Sequence, residues 1–393
     1  MTKRVALLST IALIVSACGS ALAERLPEPA ADTLAESVVV PDHLRPMEAA
    51  WDTDFAKTTI DLNELLVGIP SSDPRDAIPP IDEPSFEAVA DSSWLAGREP
   101  GVLLEIESDA RFYPLSILTR HEIVNDVYGD VPVAVTYCPL CNTAVVFDRR
   151  LAGETLRLGV SGLLRNSDLV MWDDRTTSLW QQITGKAIVG AHAGDQLIPI
   201  GSAIVRWGDF KANHPDGQVL TMDQGFGANY GRNPYEFYSS RPAPYGFFTG
   251  EIDDRYPALE RVVGVTLNGN SKAYPFSALS AARVVNDQIG DQPVVVFWGA
   301  ADTADALDSG TIAQAVGIGT GIAYSPAVGG QVLTFEAVND TEFTDLETGT
   351  TWSILGKAVS GALAGEALEL LAHRNEFWFA WQAFFPKAQV WTG

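Results

Sequence analysis

Short apolar runs, alternating or continuous, follow one another from residue 102 to the C-terminus. VLLEIE, ARFYPL, VPVAVTY, TAVVFDR, LRLGVSG, DLVMWDD and LWQQI are rich in β-branched and aromatic residues and are bounded by Gly, Asn and Asp. Such runs predict short strands. Helical signals are few. SILTRHEIVND predicts a helix of a turn or two with Ser116 as N-cap, and AIVRWGDFKANHP predicts a second that stops before Pro215. The pattern therefore predicts a β-rich α+β fold, mainly antiparallel.

The pattern also repeats. RFYPLSIL followed by EIVNDVYGDVPVAVTY returns as KAYPFSAL followed by RVVNDQIGDQPVVVFW, and Tyr113-Pro114 meets Tyr274-Pro275 at an offset of 274 − 113 = 161 residues. Later, Trp180 pairs with Trp352 and Trp207 with Trp378, so the second copy is expected to hold an insertion, placed in the Ala- and Asp-rich stretch 300–316. Fixed-offset self-similarity is the mark of a tandem duplication. The expected layout is a signal at 1–23 and, at 24–66, a tether or extended N-terminal segment rich in Pro, Ala, Asp and Glu. An N-terminal arm at 67–100 packs on the body. A first repeat spans 101–220, an aromatic linker 221–260, and a second, degenerate repeat 261–393. The linker's Tyr and Phe residues are expected to cement the interface between repeats, with lining a cleft as the other option.

Lys3 and Arg4 precede an apolar run from Val5 to Val15 and then Ser16-Ala17-Cys18-Gly19. This is the layout of a secretory signal with a lipobox, in which Cys18 is lipidated; cleavage after Ala21-Leu22-Ala23 is the alternative. The run is too short for a stable membrane span. The chain is thus expected outside the cytoplasm, held to a membrane only by its N-terminal lipid, and in the outer membrane or periplasm of a Gram-negative cell. A formal net charge of −24 argues against nucleic acid or anionic lipid as partner.

In the mature chain two cysteines remain, Cys138 and Cys141, in TYCPLCNTAVVFDR. Between two strand-like runs, Cys-Pro-Leu-Cys predicts a knuckle that points two thiolates at one metal ion. Tetrahedral zinc needs further ligands. His121 is the best third candidate, with Met171, His192 and His214 competing for the fourth place. The copy comparison supports the set. Cys138 falls opposite Gly299, His121 opposite Ala282, Met171 opposite Phe343 and His214 opposite Phe385. A soft Cys, His and Met set suits Cu(I), and zinc is the other candidate. The partner would then be a protein that donates or accepts the metal. Two alternatives stand beside this. Cys138 and Cys141 cycle as a thiol–disulfide oxidoreductase on a thiol-bearing partner, with His121 tuning the thiolate. Or they form a structural disulfide in a scaffold. Asp168, with Arg165 and Asn166, is either a polarising group or part of a turn.

The blocks DAIPPIDEPSFEAVADSSWLAGREPGV, YPLSILTRHEIVNDVYGDVPVAVTYCPLCNTAVVFDR, SGLLRNSDLVMWDDRTTSLWQQITGKAIVG and NPYEFY resemble an exported bacterial family known as domain of unknown function 3179. The resemblance covers most of residues 60–393. It implies that the site lies at the His-Glu, Cys-Pro-x-Cys, Asn-Ser-Asp-Leu-Val-Met and Trp-x-Gln elements, and it implies no particular reaction.

Overall fold

A computed structural model describes residues 38–393, so the expected export signal and the expected lipidation of Cys18 lie outside the described residues. The apolar runs pair with their chain neighbours. β1 (Pro100–Ile106) and β2 (Asp109–Pro114) form a hairpin that leads into α1 (Leu115–His121). β3 (Ile123–Tyr128), β4 (Val131–Cys138) and β5 (Thr143–Asp148) form a meander. β6 (Leu158–Arg165), β7 (Asp168–Asp173), β8 (Leu179–Gln181) and β9 (Lys186–Val189) form another. β10 (Ile198–Ile200) adds to β5, and β11 (Ala203–Arg206) adds to β1. α2 (Trp207–Asn213) then carries the chain to β12 (Gln218–Leu220), parallel to β2.

The order recurs in the second half. β13 (Arg261–Leu267), β14 (Asn270–Pro275), α3 (Phe276–Ala282), β15 (Val284–Ile289) and β16 (Gln292–Gly299) follow one another. Next come β17 (Thr320–Ser325), β18 (Phe335–Ala337), β19 (Glu342–Asp345), β20 (Thr351–Ser353) and β21 (Ala358–Ser360). The half closes with β22 (Glu369–Leu370), β23 (His373–Phe377), α4 (Trp378–Phe384) and β24 (Gln389–Val390). Sheets β23-β13-β14-β24, β22-β17-β16-β15 and β18-β19-β20-β21 reproduce the neighbour order of β11-β1-β2-β12, β10-β5-β4-β3 and β6-β7-β8-β9. Matched residues make matched bonds. Asp173 accepts from Trp180 Nε1 and Asp345 from Trp352 Nε1, both at 2.9 Å.

Three local expectations are corrected. Ser116 is not an N-cap: Pro114 occupies that position in extended conformation, and no side chain caps the helix. The helix also stops earlier than expected, because Glu122 turns left-handed at φ 59° and the following Ile-Val-Asn-Asp enters β3 instead. From residue 38 onward the supposed tether is ordered. Val40, Leu44, Met47, Trp51 and Phe55 bury themselves against Leu163, Val170 and Leu179, and Leu65–Val67 pairs with β6. Aromatic and aliphatic residues scattered among the Pro and Asp supply enough apolar surface to hold the segment down. In the stretch 67–100, Ile81 and Val89 are buried and Ile81 is bridged to Val124.

The halves do not behave as separate domains. Residues 38–393 form one compact unit. One apolar cluster runs from Val135, Cys138 and Val146 to Ala304, Leu307, Phe377 and Phe379. A second joins Phe112 and Val205 to Phe297 and Tyr324. The insertion lies where β4 and β5 are joined by the Cys-Pro-Leu-Cys turn in the first half, between β16 and β17 in the second. It binds the aromatic linker: Asn233 donates to Ala306 O and Ser309 O, and Phe237 N to Asp308 O.

Candidate metal centre and adjoining cavity

Cys138 is the last residue of β4, and the chain reverses over Pro139-Leu140 to begin β5 at Thr143. Asn142 holds φ 54°, a left-handed conformation that Asn tolerates better than most residues. The knuckle's carbonyls are held by distant elements. Tyr238 of the linker donates to Leu140 O at 2.7 Å, and Phe377 N of β23 donates to Cys141 O at 2.9 Å. The Asn142 side chain donates to Asn375 O at 3.0 Å. The second half thus closes the turn that carries both thiols.

Both thiols are free and fully buried. Asp168 joins them at the start of β7. Asn166 and Ser167, at φ 51° and 66°, turn the β6–β7 hairpin so that Cys138 Sγ lies 3.7 Å from Ser167 O. A ligand atom from each of Cys138, Cys141 and Asp168 lies within 4.8 Å of the others. The Oδ2 of Asp168 accepts from Gln181 Nε2 at 2.6 Å and Ile183 N at 2.9 Å, while its buried Oδ1 has no hydrogen-bond partner.

The surroundings are acidic. Burial pushes Asp168 up to about 7. Burial, and then the charge of Asp168, pushes Glu122 up to about 8. Glu376 on β23 is likewise raised by burial to about 8, with Arg374 opposing the shift. Both Glu376 carboxylate oxygens lack a hydrogen-bond partner, as do the buried Nε and Nη1 atoms of half-buried Arg374. Burial also raises both thiols, Cys141 further than Cys138. With water excluded, burial first and like-charged neighbours second disfavour each anion.

The other predicted residues lie elsewhere. The Nδ1–H of His121 donates to Pro79 O at 2.6 Å, and Nε2 accepts from Tyr230 OH at 2.7 Å, so neither nitrogen is left for a metal. Burial lowers its pKa and keeps that neutral tautomer. Met171 is a fully buried core residue in register with Val160 and Trp180. His214 stacks on Phe210 at the seam of the halves, 3.4 Å from Lys357 Nζ. His192 pairs with Asp195 at 2.9 Å. Among the described His, Cys, Asp and Glu residues, it is Asp168, and not His121, His192 or His214, whose ligand atom lies with the two thiols.

Three acidic or basic groups were missed by sequence reasoning. Glu122 stood in the His-Glu element, where the histidine drew the weight. Arg374 and Glu376 stand where the first half has Ala203 and Val205 in β11. Charged residues at matched interior strand positions were a visible signal.

Beside the centre lies a cavity of about 340 Å³. Leu140 of the knuckle, Leu169 next to Asp168, and Glu122 form one side, and Tyr235, Tyr245 and Phe247 of the linker form another. The linker therefore lines a cleft as well as cementing the halves through Tyr238 packed on Phe377.

No curated protein and no solved structure matches the chain. The model of a single family, described as a protein of unknown function (DUF3179), matches residues 75–388, from the N-terminal arm through both halves, and the chain belongs to that family.

Proposed function

We propose that this is an exported, lipid-anchored protein that binds one divalent metal ion of the zinc class through Cys138, Cys141 and Asp168. The observation that carries the reading is the clustering of two reduced thiols and a carboxylate within 4.8 Å, with Asp168 Oδ1 lacking any hydrogen-bond donor. Zn–S bonds of about 2.3 Å and Zn–O bonds of about 2.0–2.2 Å set ligand separations inside that span. A carboxylate in place of Met or His moves the preference from Cu(I), the softer candidate, towards zinc. Three protein ligands leave a fourth position for water or a small molecule, the pattern of zinc sites that do more than brace a fold.

The acidic surroundings support a cation. Two thiolates and a carboxylate without one would be costly to bury. Loading the metal would release the protons that these groups otherwise hold. Gln181 and Ile183 N would orient Asp168. We read the two halves as products of one duplication, with the second adapted to complete the site of the first. A metal-donating or metal-accepting protein is the partner this reading implies.

Thiol–disulfide exchange is the second reading, favoured by the closeness of two free thiols. Against it stand burial and raised thiol pKa values, the reverse of a reactive cysteine. Metal content and free-thiol count of the purified chain separate the two. About one zinc per chain, lost in Cys138→Ser, is expected. No metal together with a readily reversible disulfide would replace the metal reading with the redox one.

A further inference from the structure

The cavity beside the cysteines has a size, a wall and one polar feature that together specify a ligand. At about 340 Å³ it falls within the range of roughly 300–1,000 Å³ typical of small-molecule sites. Its wall is apolar and aromatic, with Ile69, Leu140, Leu163, Tyr235, Tyr245 and Phe247 prominent, and no Lys, Arg or His lines it.

The one ionisable acid on the wall is Glu122. It is 7 % exposed, and its carboxyl group draws no hydrogen bond from the described residues. The neighbouring charge acting on it is that of Asp168, of the same sign. A buried carboxylate without donor or counter-charge is costly, and native proteins provide partners for such groups. The left-handed backbone at Glu122 is not itself special, because Arg283 holds φ 67° at the matched helix end. The side chain is what differs: Arg283 turns to Asp340 and Asn339 O, whereas Glu122 is kept on the cavity wall.

We propose that this cavity binds a small organic cation, an alkyl- or arylalkylammonium, with the ammonium beside Glu122 and the apolar body against the aromatic linker. Aromatic faces attract an organic cation in addition to burying its apolar part. The charge balance favours the same ligand with or without a metal next door: two thiolates and Asp168 leave a zinc site at net −1, which does nothing to neutralise Glu122. The inference rests on the cavity and Glu122 and adds a ligand to the metal reading without depending on it.

The test is calorimetric titration of the purified chain with 2-phenylethylamine, its N,N,N-trimethyl analogue, 2-phenylethanol and phenylacetate, before and after chelator treatment. Both cations are expected to bind at least about tenfold more tightly than the alcohol, because a charge-assisted contact outweighs a neutral one. Phenylacetate should bind more weakly still. Glu122→Gln should bring amine and alcohol together while the alcohol continues to bind, which shows that the cavity is intact. Equal binding of amine and alcohol to the unmodified chain, or a preference that survives Glu122→Gln, would overturn the proposal. So would a primary-amine preference that disappears on chelation while the trimethyl analogue never binds. That pattern would put the amine nitrogen on the metal and leave the metal reading standing. Cation preference in a chain that proves metal-free would sink the metal reading alone.

Discussion

At the scale of single residues, the centre depends on which side chains have spare bonding capacity. His121 has none, since both its nitrogens are engaged. His121→Phe is therefore predicted to leave the metal content unchanged while costing about 1–3 kcal/mol of stability, the penalty of leaving buried partners unsatisfied. Equilibrium denaturation and metal analysis on the same sample check both halves of the statement. Gln181→Leu is the converse case. It removes a donor that orients Asp168 without removing a ligand, and should weaken zinc binding by about 10–100-fold, as loss of such supporting partners does. Competition with a chromophoric chelator measures it, and an unchanged affinity would mean that Asp168 is not a ligand. Residue types alone favoured His121, because a helix starting there was expected to lead directly into the Cys strand, whereas His121 ends α1 and β3 intervenes. What overruled that preference was hydrogen bonding to Pro79 and Tyr230, residues far from it in the chain.

At the scale of elements, the knuckle is a tight turn that needs both its own backbone geometry and outside support. Asn142→Ala should cost about 2–3 kcal/mol, combining about 1–2 for a left-handed non-glycine residue with about 1 for the lost bond to Asn375 O. Asn142→Gly keeps the backbone conformation available and should lose mainly the bond, so it is expected to be the milder change. Equal effects, read from urea midpoints, would mean that backbone geometry contributes nothing here. The runs that form β1, β2 and β4 to β8 were legible in the sequence because β-branched and aromatic runs ended at Gly, Asn and Asp. The recurrence of the strand order in the second half was legible because turn residues recurred at one offset. The end of α1 was not, since Glu-Ile-Val-Asn-Asp continues a plausible helical pattern and only the left-handed Glu122 breaks it. The packing of residues 38–66 was hidden by their Pro and Asp content, although Trp51 and Phe55 find a core on β6, β7 and β8.

At the scale of the whole molecule, the second half supplies Arg374, Asn375, Glu376 and Phe377 to a turn in the first, so the acidic interior belongs to both. Its charge gives the metal-free chain a predicted pH response. Glu122 and Glu376, near 8, and Asp168, near 7, are raised above their ordinary values of 4.5 and 3.8. Groups raised in the folded state stabilise fully below their unfolded values and lose that contribution as pH climbs through the folded ones. His214 and His373, lowered by burial to about 4, act in the opposite sense but only below about pH 6.5. Between pH 6.5 and 8 the carboxylates therefore dominate. The chelator-stripped chain should lose stability over that window, by roughly 1.4 kcal/mol per pH unit for each group still protonated. A flat or rising urea midpoint would contradict this. Zinc should flatten the slope, because its ligands are already deprotonated when it is bound. The measurement that tests the central claim most directly is X-ray absorption at the zinc edge of the purified chain. The account predicts two sulfur scatterers at about 2.3 Å and oxygen at about 2.0–2.2 Å, with the oxygen contribution altered in Asp168→Asn. A chain without metal, or a metal shell without sulfur, would contradict it.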